Sequence, residues 1–254
     1  MKLLFLFIFC FSISVQTYGQ ATSPQAHKQN NNALKYSFAY FGQYKLSPKW
    51  GIHTDVQFRM DEKLNFAFQS VYRVGLIRYL KPDLGVIAGY AQLHTHSEAF
   101  EDYFTEHRIW EQLYCLKKKN HHSMLFRFRL EQRFVGELKL SDSGEVVTDK
   151  YNYGNRLRFY DRTIFDLTKD PEAENVFYLV VQDEVFFGIN APEINRHFFD
   201  QNRFVFGVGI YKNKHTRLEI DYINFFLNPS EGENIMVHTL GFAVIQNLNF
   251  GKQE

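Results

Sequence analysis

Three short groups of polar residues in this chain have the residue types that catalysis or metal binding needs. His121 and Ser123 stand one residue apart, and a histidine base beside a serine hydroxyl is the pairing that activates the nucleophile of lipid hydrolases. His94 and His96, or the adjacent His121 and His122, have imidazoles close enough in sequence to share a metal ion. No cysteine or carboxylate accompanies either pair at a recognisable ligand spacing. We therefore interpret these histidines as residues of polar turns.

Arginine is the charged residue that recurs most regularly. The arginines that alternate with apolar residues are Arg59, Arg73, Arg108, Arg127, Arg129, Arg133, Arg156, Arg158, Arg162, Arg203 and Arg217. The acidic residues in the same alternation are Asp55, Glu106, Glu131, Glu184, Glu219 and Asp221. A guanidinium group can bind a carboxylate through two parallel hydrogen bonds while it stays charged. The pattern favours a network of ion pairs, and the excess of arginine leaves open a lining that attracts anions.

The elements that carry these charges are strands with one apolar and one polar face. From Trp50 to Met60 the apolar residues occupy every second position, and His53, Asp55, Gln57 and Arg59 lie between them. Met124 to Phe134 alternates in the same way against arginine and glutamate. The eleven segments with this period of two are 34–46, 50–60, 64–80, 84–94, 104–116, 124–134, 153–165, 176–187, 203–210, 217–222 and 235–250.

The connections between these segments alternate in length. Those around 95–103, 137–152, 188–200 and 228–234 are long, whereas 81–83, 117–121 and 212–215 are short. This is the alternation of extracellular loops and periplasmic turns in outer-membrane barrels, which in bacteria have even numbers of strands. We therefore expect an all-β, antiparallel transmembrane barrel of about twelve strands, in a range of ten to twelve, with one strand near the N-terminus still unseen. A soluble lipocalin-like barrel or sandwich would alternate similarly.

The N-terminus favours the membrane alternative. Met1 and Lys2 precede an apolar run from Leu3 to Val15, and a small residue, Gly19, ends the segment. This is a secretory signal peptide, and its apolar run is shorter than the roughly 20 residues that a membrane helix needs. We expect a signal peptide over 1–19, a flexible lead-in over 20–32 and the barrel over 33–254.

Charge, cysteine content and the absence of known motifs argue against several classes of protein. The chain has 29 basic and 28 acidic residues, without the basic excess of a protein that binds nucleic acid. Cys115 is the single cysteine after the leader, so no disulfide can form within the mature chain. The sequence has no glycine-rich phosphate loop, no CxxC pair and no serine-centred nucleophile elbow, so we expect no cofactor and no enzyme activity. With 27 Phe and 15 Tyr, it is rich in residues that favour strands and membrane interfaces.

Five short segments, in their order along the chain, resemble the domain-of-unknown-function 2490 family, uncharacterised outer-membrane proteins common in Bacteroidetes. They are Phe41–Ser47 followed by Lys49-Trp50, Glu106–Gln112, Arg127–Phe134, Arg156–Arg158 and Phe199–Phe204. The resemblance implies an outer-membrane location and no established activity. It also implies that Glu106, Arg108, Gln112, Arg129, Glu131, Arg133, Glu184 and Arg203 share a network in the lumen.

Together these observations predict a bacterial outer-membrane barrel with a structural or narrow-pore role. The predicted lumen network consists of Glu106, Arg108, Gln112, Arg127, Arg129, Glu131, Arg133, Arg156, Arg158, Glu184, Arg203 and Glu219. A passive diffusion channel for small solutes, anions among them, is the alternative, and an outer-membrane lipid hydrolase is a weaker one. The expected partners are outer-membrane lipids and, during insertion, the barrel-assembly machinery; no nucleic acid is expected, and the oligomeric state is left open.

Overall fold

The computed structural model describes residues 34–119, 121–167 and 176–251. The predicted signal peptide and lead-in lie outside these residues. The described chain forms eleven strands: β1 (Lys35–Lys45), β2 (Trp50–Met60), β3 (Ala67–Lys81), β4 (Leu84–Ser97), β5 (Asp102–Lys119), β6 (His122–Leu140), β7 (Val146–Asp166), β8 (Val176–Ile189), β9 (Phe199–Tyr211), β10 (Thr216–Leu227) and β11 (Ile235–Asn249). No helix in the described residues is long and apolar enough to cross a membrane.

The strands form one closed barrel in which each strand pairs with its neighbours in sequence and β1 pairs with β11. All sequential pairs are antiparallel, but β1 and β11 run in parallel, in register from Lys35 opposite Thr239 to Lys45 opposite Asn249. An odd number of antiparallel strands brings the first and last strands together in the same direction, and a parallel ladder joins them without leaving an open edge. The predicted all-β barrel is confirmed with eleven strands, and the described residues close it without the expected twelfth.

Two connections that the sequence predicted to be long are mostly strand. β6 and β7 continue to Leu140 and Val146, so only 141–145 joins them, and 98–101 joins β4 to β5. The ladder between Glu137 and Lys150 continues beyond the apolar part of the strands. Leu138 and Leu140 alternate with Glu137 and Lys139 there, but this alternation is short, and a register shift between Glu137 and Leu138 separates it from the rest of the strand.

The outer surface of the barrel is apolar around its middle. Outward side chains such as Val74, Leu76 and Ile109 are each about half exposed, at 52%. Aromatic rings on adjacent strands stack along this surface, as in the Phe38–Phe242 pair with 5.5 Å between ring centroids. Exposure of such a surface to water is unfavourable, so it is stable when lipid or another apolar phase covers it.

The interior divides into an apolar side and a charged side. On β3, β4 and β5 the inward residues Val71, Ile77, Ile87, Ala91, Leu93 and Trp110 pack into a buried cluster. Gly75 and Gly89, which pair across β3 and β4, make room for the indole: a Cβ at Gly89 would lie 2.7 Å from Trp110 Cζ2. Most of the inward charged side chains come from the other strands, and Arg73 on β3 and Glu106 and Arg108 on β5 join them.

A central arginine and glutamate layer: candidate functional site

Glu131 on β6 is the centre of the charged side, and its side chain has no solvent exposure. Its Oε1 accepts a hydrogen bond from Arg158 Nη1 at 2.5 Å, and its Oε2 accepts from Arg156 Nη2 at 2.8 Å. Arg108 and Arg129 approach the same carboxylate at 3.5 and 3.6 Å. Four guanidinium groups from three strands thus surround one carboxylate.

Two further glutamates extend this arrangement on either side. Arg108 binds Glu106 through two nitrogens at 2.7 and 2.8 Å, and Arg133 donates to the same carboxylate at 2.5 Å. On the opposite wall, Glu184 accepts from Arg158 at 2.7 and 3.0 Å. The Arg108–Glu106 pair has two parallel hydrogen bonds, which fix the guanidinium plane, whereas both Arg158 bonds to Glu184 converge on Oε1.

Arg127 and Arg203 also reach Glu184, at 3.2 and 3.6 Å. We define the Arg–Glu layer by the three glutamates and the seven arginines that contact them: Glu106, Glu131, Glu184, Arg108, Arg127, Arg129, Arg133, Arg156, Arg158 and Arg203. Arginine outnumbers glutamate in it, so the layer has a positive charge even though its members are paired.

Aromatic rings inside the lumen hold several of these guanidinium groups. The buried Phe186 ring lies 5.1, 4.6 and 5.3 Å from the guanidinium carbons of Arg156, Arg158 and Arg203. Arg129 stacks on Trp110 at 4.4 Å. A ring face attracts a cation and replaces part of its lost hydration. The rings thereby help arginines to remain charged in a dry interior.

The lumen is covered at the end that carries the longer connections. Residues 190–198 between β8 and β9 turn inward, where Ala191 packs directly over Gly154 on the inner face of β7. Asn195 in this connection donates to Asp200 and to the carbonyl of Asn228, each at 2.8 Å. These hydrogen bonds hold the connection to the start of β9 and the end of β10.

A cavity of about 420 Å³ lies on the other side of the Arg–Glu layer. Arg59, Arg129, Arg158 and Arg203 form its inner end, and residues of the short turns, among them Lys214, lie at its mouth. The charged residues that line it are ten cations, Arg59, Arg73, Lys118, Arg127, Arg129, Arg158, Arg162, Arg203, Lys214 and Arg217, and four acids, Asp55, Glu184, Glu219 and Asp221. The lining is strongly cationic although the whole chain is almost neutral.

Outside the apolar band, carboxylates pair with lysines at the barrel ends. Lys117 donates to Asp83 in the β3–β4 turn, and this hydrogen bond lowers the pKa of the Asp83 carboxyl group below its usual range. Lys139 pairs with Asp149 on the extended β6–β7 hairpin and lowers the pKa of that carboxyl group in the same way. Both pairs are exposed to solvent, so salt screens them.

A family model described as "Protein of unknown function (DUF2490)" matches residues 36–236, from β1 to the start of β11. The chain belongs to the DUF2490 family. The resemblance predicted from the sequence is thereby confirmed. No curated protein matches the chain. A solved structure described as "NanC porin structure in rhombohedral crystal form" is similar with a TM-score of 0.45 and 13% identity, over 80% of this chain and 96% of that one.

The structure of this DUF2490 protein brings most of the predicted lumen residues together. Ten of the twelve form the Arg–Glu layer, and an eleventh, Gln112, accepts from Arg129 at 2.6 and 2.9 Å. Glu219 lies apart, on the cavity wall, where it pairs with Arg162 and accepts from the Tyr178 hydroxyl at 2.7 Å. Arg162 also lines the cavity, whereas Tyr178 is buried beside Ile164 and Val180.

The histidine motifs lie away from the layer. Ser123 lines the cavity and faces inward, while His121 is in the adjoining turn, where its carbonyl accepts from the Asp166 amide at 2.9 Å. His94 contacts the Thr105 hydroxyl at 3.1 Å. In the described part of the chain, no three His, Cys, Asp or Glu side chains are grouped as a metal site requires.

Inward aromatic residues of this DUF2490 protein were missed by the sequence reasoning, which placed aromatics on the lipid face. Trp110, Tyr178 and Phe186 are fully buried in the lumen. The signal was available, since Trp110 stands two residues from Arg108 and Phe186 two residues from Glu184, on the inward register. Asp161 and Asp183, which the sequence analysis assigned to neither face, pair across β7 and β8 on the outward face.

Proposed function

We propose that this DUF2490 protein resides in a bacterial outer membrane as a structural barrel whose lumen is closed to free diffusion. The apolar outer surface supports membrane residence, because its half-exposed side chains form a continuous band that water solvates poorly. In this proposal outer-membrane lipids cover the band, and the barrel-assembly machinery inserts the chain. The short-turn end faces the periplasm and the longer connections face outward.

The single observation that carries the closed lumen is the burial of Glu131. Its side chain is 0% exposed although it lies at the middle of the barrel and is charged, and the four surrounding guanidinium groups are nearly as buried. An open aqueous pore would hydrate such a group. The cavity also stops at this layer, because neither Glu131 nor Glu106 lines it.

Conductance across a planar lipid bilayer tests the closed state. The purified protein, inserted at known density and verified as folded by the shift between boiled and unboiled samples on a gel, should show no steady conducting steps of porin size. Long-lived open steps in the wild-type protein would refute closure. Failure to fractionate with the outer membrane would instead refute the location.

A second function is favoured by the cationic lining of the cavity, namely a narrow passage for small anions that opens when the Arg–Glu layer rearranges. Rings of arginine and lysine favour anions in channels. In this case brief conducting events occur, and under a salt gradient their reversal potential lies near the equilibrium potential of the anion. A reversal potential near the equilibrium potential of the cation would reject this function.

A further inference from the structure

The cavity below the Arg–Glu layer has more cationic groups than its own carboxylates can neutralise. Ten cations and four acids line it. Among the described residues, Arg59, Arg217, Lys118 and Lys214 have no carboxylate within ion-pair distance. Arg59 instead donates to Gln69 at 2.5 Å, which does not reduce its charge.

Several hydrogen-bond donors of the lining also lack a protein acceptor. The Nε atoms of Arg59, Arg73, Arg203 and Arg217 are buried and unbonded within the described chain. Both ring nitrogens of His53, of which a neutral imidazole donates through one, are likewise buried and unbonded, and this side chain lines the cavity with only 7% of its surface exposed. A buried donor without an acceptor is destabilising by about 1–3 kcal/mol, so these atoms indicate an acceptor that the protein itself does not supply.

Water can satisfy such donors, but it cannot balance the charge. A polar cavity of about 420 Å³ holds water readily. The excess of six cations in the lining, however, lies in surroundings of low dielectric, where unbalanced charge is costly. An oxyanion answers both needs, because its oxygens accept from N–H groups and its charge offsets the guanidinium groups.

The inner end of the cavity has the geometry for such a ligand. The guanidinium carbons of Arg59 and Arg203 lie 5.2 and 4.7 Å from the centroid of one ring, that of Phe225. The ring fixes both cations on neighbouring sides of the cavity. Asp221, the one lining acid with an unbonded buried oxygen, stands four residues from Phe225 towards the mouth of the cavity. Nearer the inner end the lining acid is Glu184, whose charge Arg127, Arg158 and Arg203 share, so cations still outnumber acids there.

We propose that this cavity is a binding site for a small oxyanion, a phosphate or a carboxylate, held at its inner end by Arg59 and Arg203. Lys118, Lys214 and Arg217 at the mouth raise the local anion concentration and guide the ligand inward. The volume suits a molecule of metabolite size. The inference deepens the proposed function and rests on its barrel, but not on closure of the lumen.

Isothermal titration calorimetry on the folded, purified protein in detergent tests the site. Sodium phosphate and sodium succinate are the probes, and glycerol is the neutral comparison. Saturable binding of at least one anion, and none of glycerol, is the expected result. Binding should weaken as ionic strength rises, because screening reduces the attraction. Absence of saturable binding of either anion to the wild-type protein would overturn the proposal.

The Arg59→Gln variant tests whether Arg59 binds the anion. Glutamine keeps a polar contact with Gln69 and leaves no carboxylate unpaired, so the barrel should still fold. Loss of one charge-assisted contact should weaken anion binding about tenfold or more. Arg78→Gln is the matched control, because Arg78 stacks on Trp50, whose side chain is on the outer surface. Equal affinities in the two variants would overturn the assignment to Arg59.

The two proposals fail separately. Steady conductance with anion binding intact would refute the closed lumen and leave the site in place. Absence of conductance together with absence of anion binding would leave the closed lumen in place and refute the binding site. If Arg59→Gln does not fold, Arg59→Lys replaces it: it keeps the charge but loses the planar fork, and intermediate affinity is expected.

Discussion

Replacing Glu131 by glutamine removes the one charge that four guanidinium groups share, while the size of the side chain is unchanged. The carboxylate accepts from Arg158 at 2.5 Å and from Arg156 at 2.8 Å. The new amide presents an NH₂ group to one of these donors, so a hydrogen bond becomes a repulsive contact. The Arg–Glu layer is left with two carboxylates for seven arginines.

The expected loss of stability follows from burial. Removing one partner of a buried ion pair destabilises a protein by about 3–5 kcal/mol, because the remaining charge is left uncompensated. Arg158 retains Glu184 and Arg108 retains Glu106, so part of the charge stays balanced. We therefore expect Glu131→Gln to lower the free energy of unfolding by about 3 kcal/mol, near the lower end of that range.

Urea unfolding in lipid vesicles measures this loss, with tryptophan fluorescence and the gel shift as independent readouts. Glu111→Gln is the matched control: Glu111 lies on the outer face of β5, where it pairs with Leu130 on β6 and accepts from Gln132 at 3.2 Å. Its replacement should lower stability by no more than about 0.5 kcal/mol. A loss below about 1 kcal/mol for Glu131→Gln would refute the role of the layer in stability.

Two further predictions concern groups outside the lumen. Asp161 and Asp183 face outward within the apolar band, so Asp161→Val should raise the free energy of unfolding in lipid vesicles by about 1 kcal/mol; a clear loss would show that a polar partner covers this face. The lowered pKa of Asp83 means that its pairing with Lys117 stabilises the fold above the usual carboxyl range and is lost as pH falls through the lowered value. The difference in unfolding midpoint between wild type and Asp83→Asn should therefore be larger at pH 7 than below about pH 3, and an equal difference would contradict the pairing.

The strands and their two faces could be predicted from sequence because side-chain alternation is local. Segment 50–60 coincides with β2 residue for residue, and the remaining segments overlap the observed strands. The prediction lost accuracy where alternation ends. The β6–β7 hairpin continues to Leu140 and Val146, where the alternation from Glu137 to Leu140 is only four residues long and a register shift separates it from the rest of β6.

Assignment of individual ion pairs was beyond the sequence. Arg127 meets Glu184, and Arg162 meets Glu219, each 57 residues away along the chain. Which carboxylate lies opposite which guanidinium depends on the curvature and stagger of the closed barrel. The same closure separates Glu219 from the Arg–Glu layer and places it on the cavity wall.

By itself the sequence determined that this chain forms two-faced strands with arginine and glutamate on one side, since a strand exposes alternate residues to opposite faces whatever its neighbours. Only the tertiary structure decided that eleven strands suffice, because the parallel pairing of β1 with β11 joins segments about 200 residues apart. It also decided that the charges divide into a dry layer and a cationic cavity. Alternation places a side chain inside, but the depth of its position and the bulk of residues such as Trp110 determine whether water reaches it.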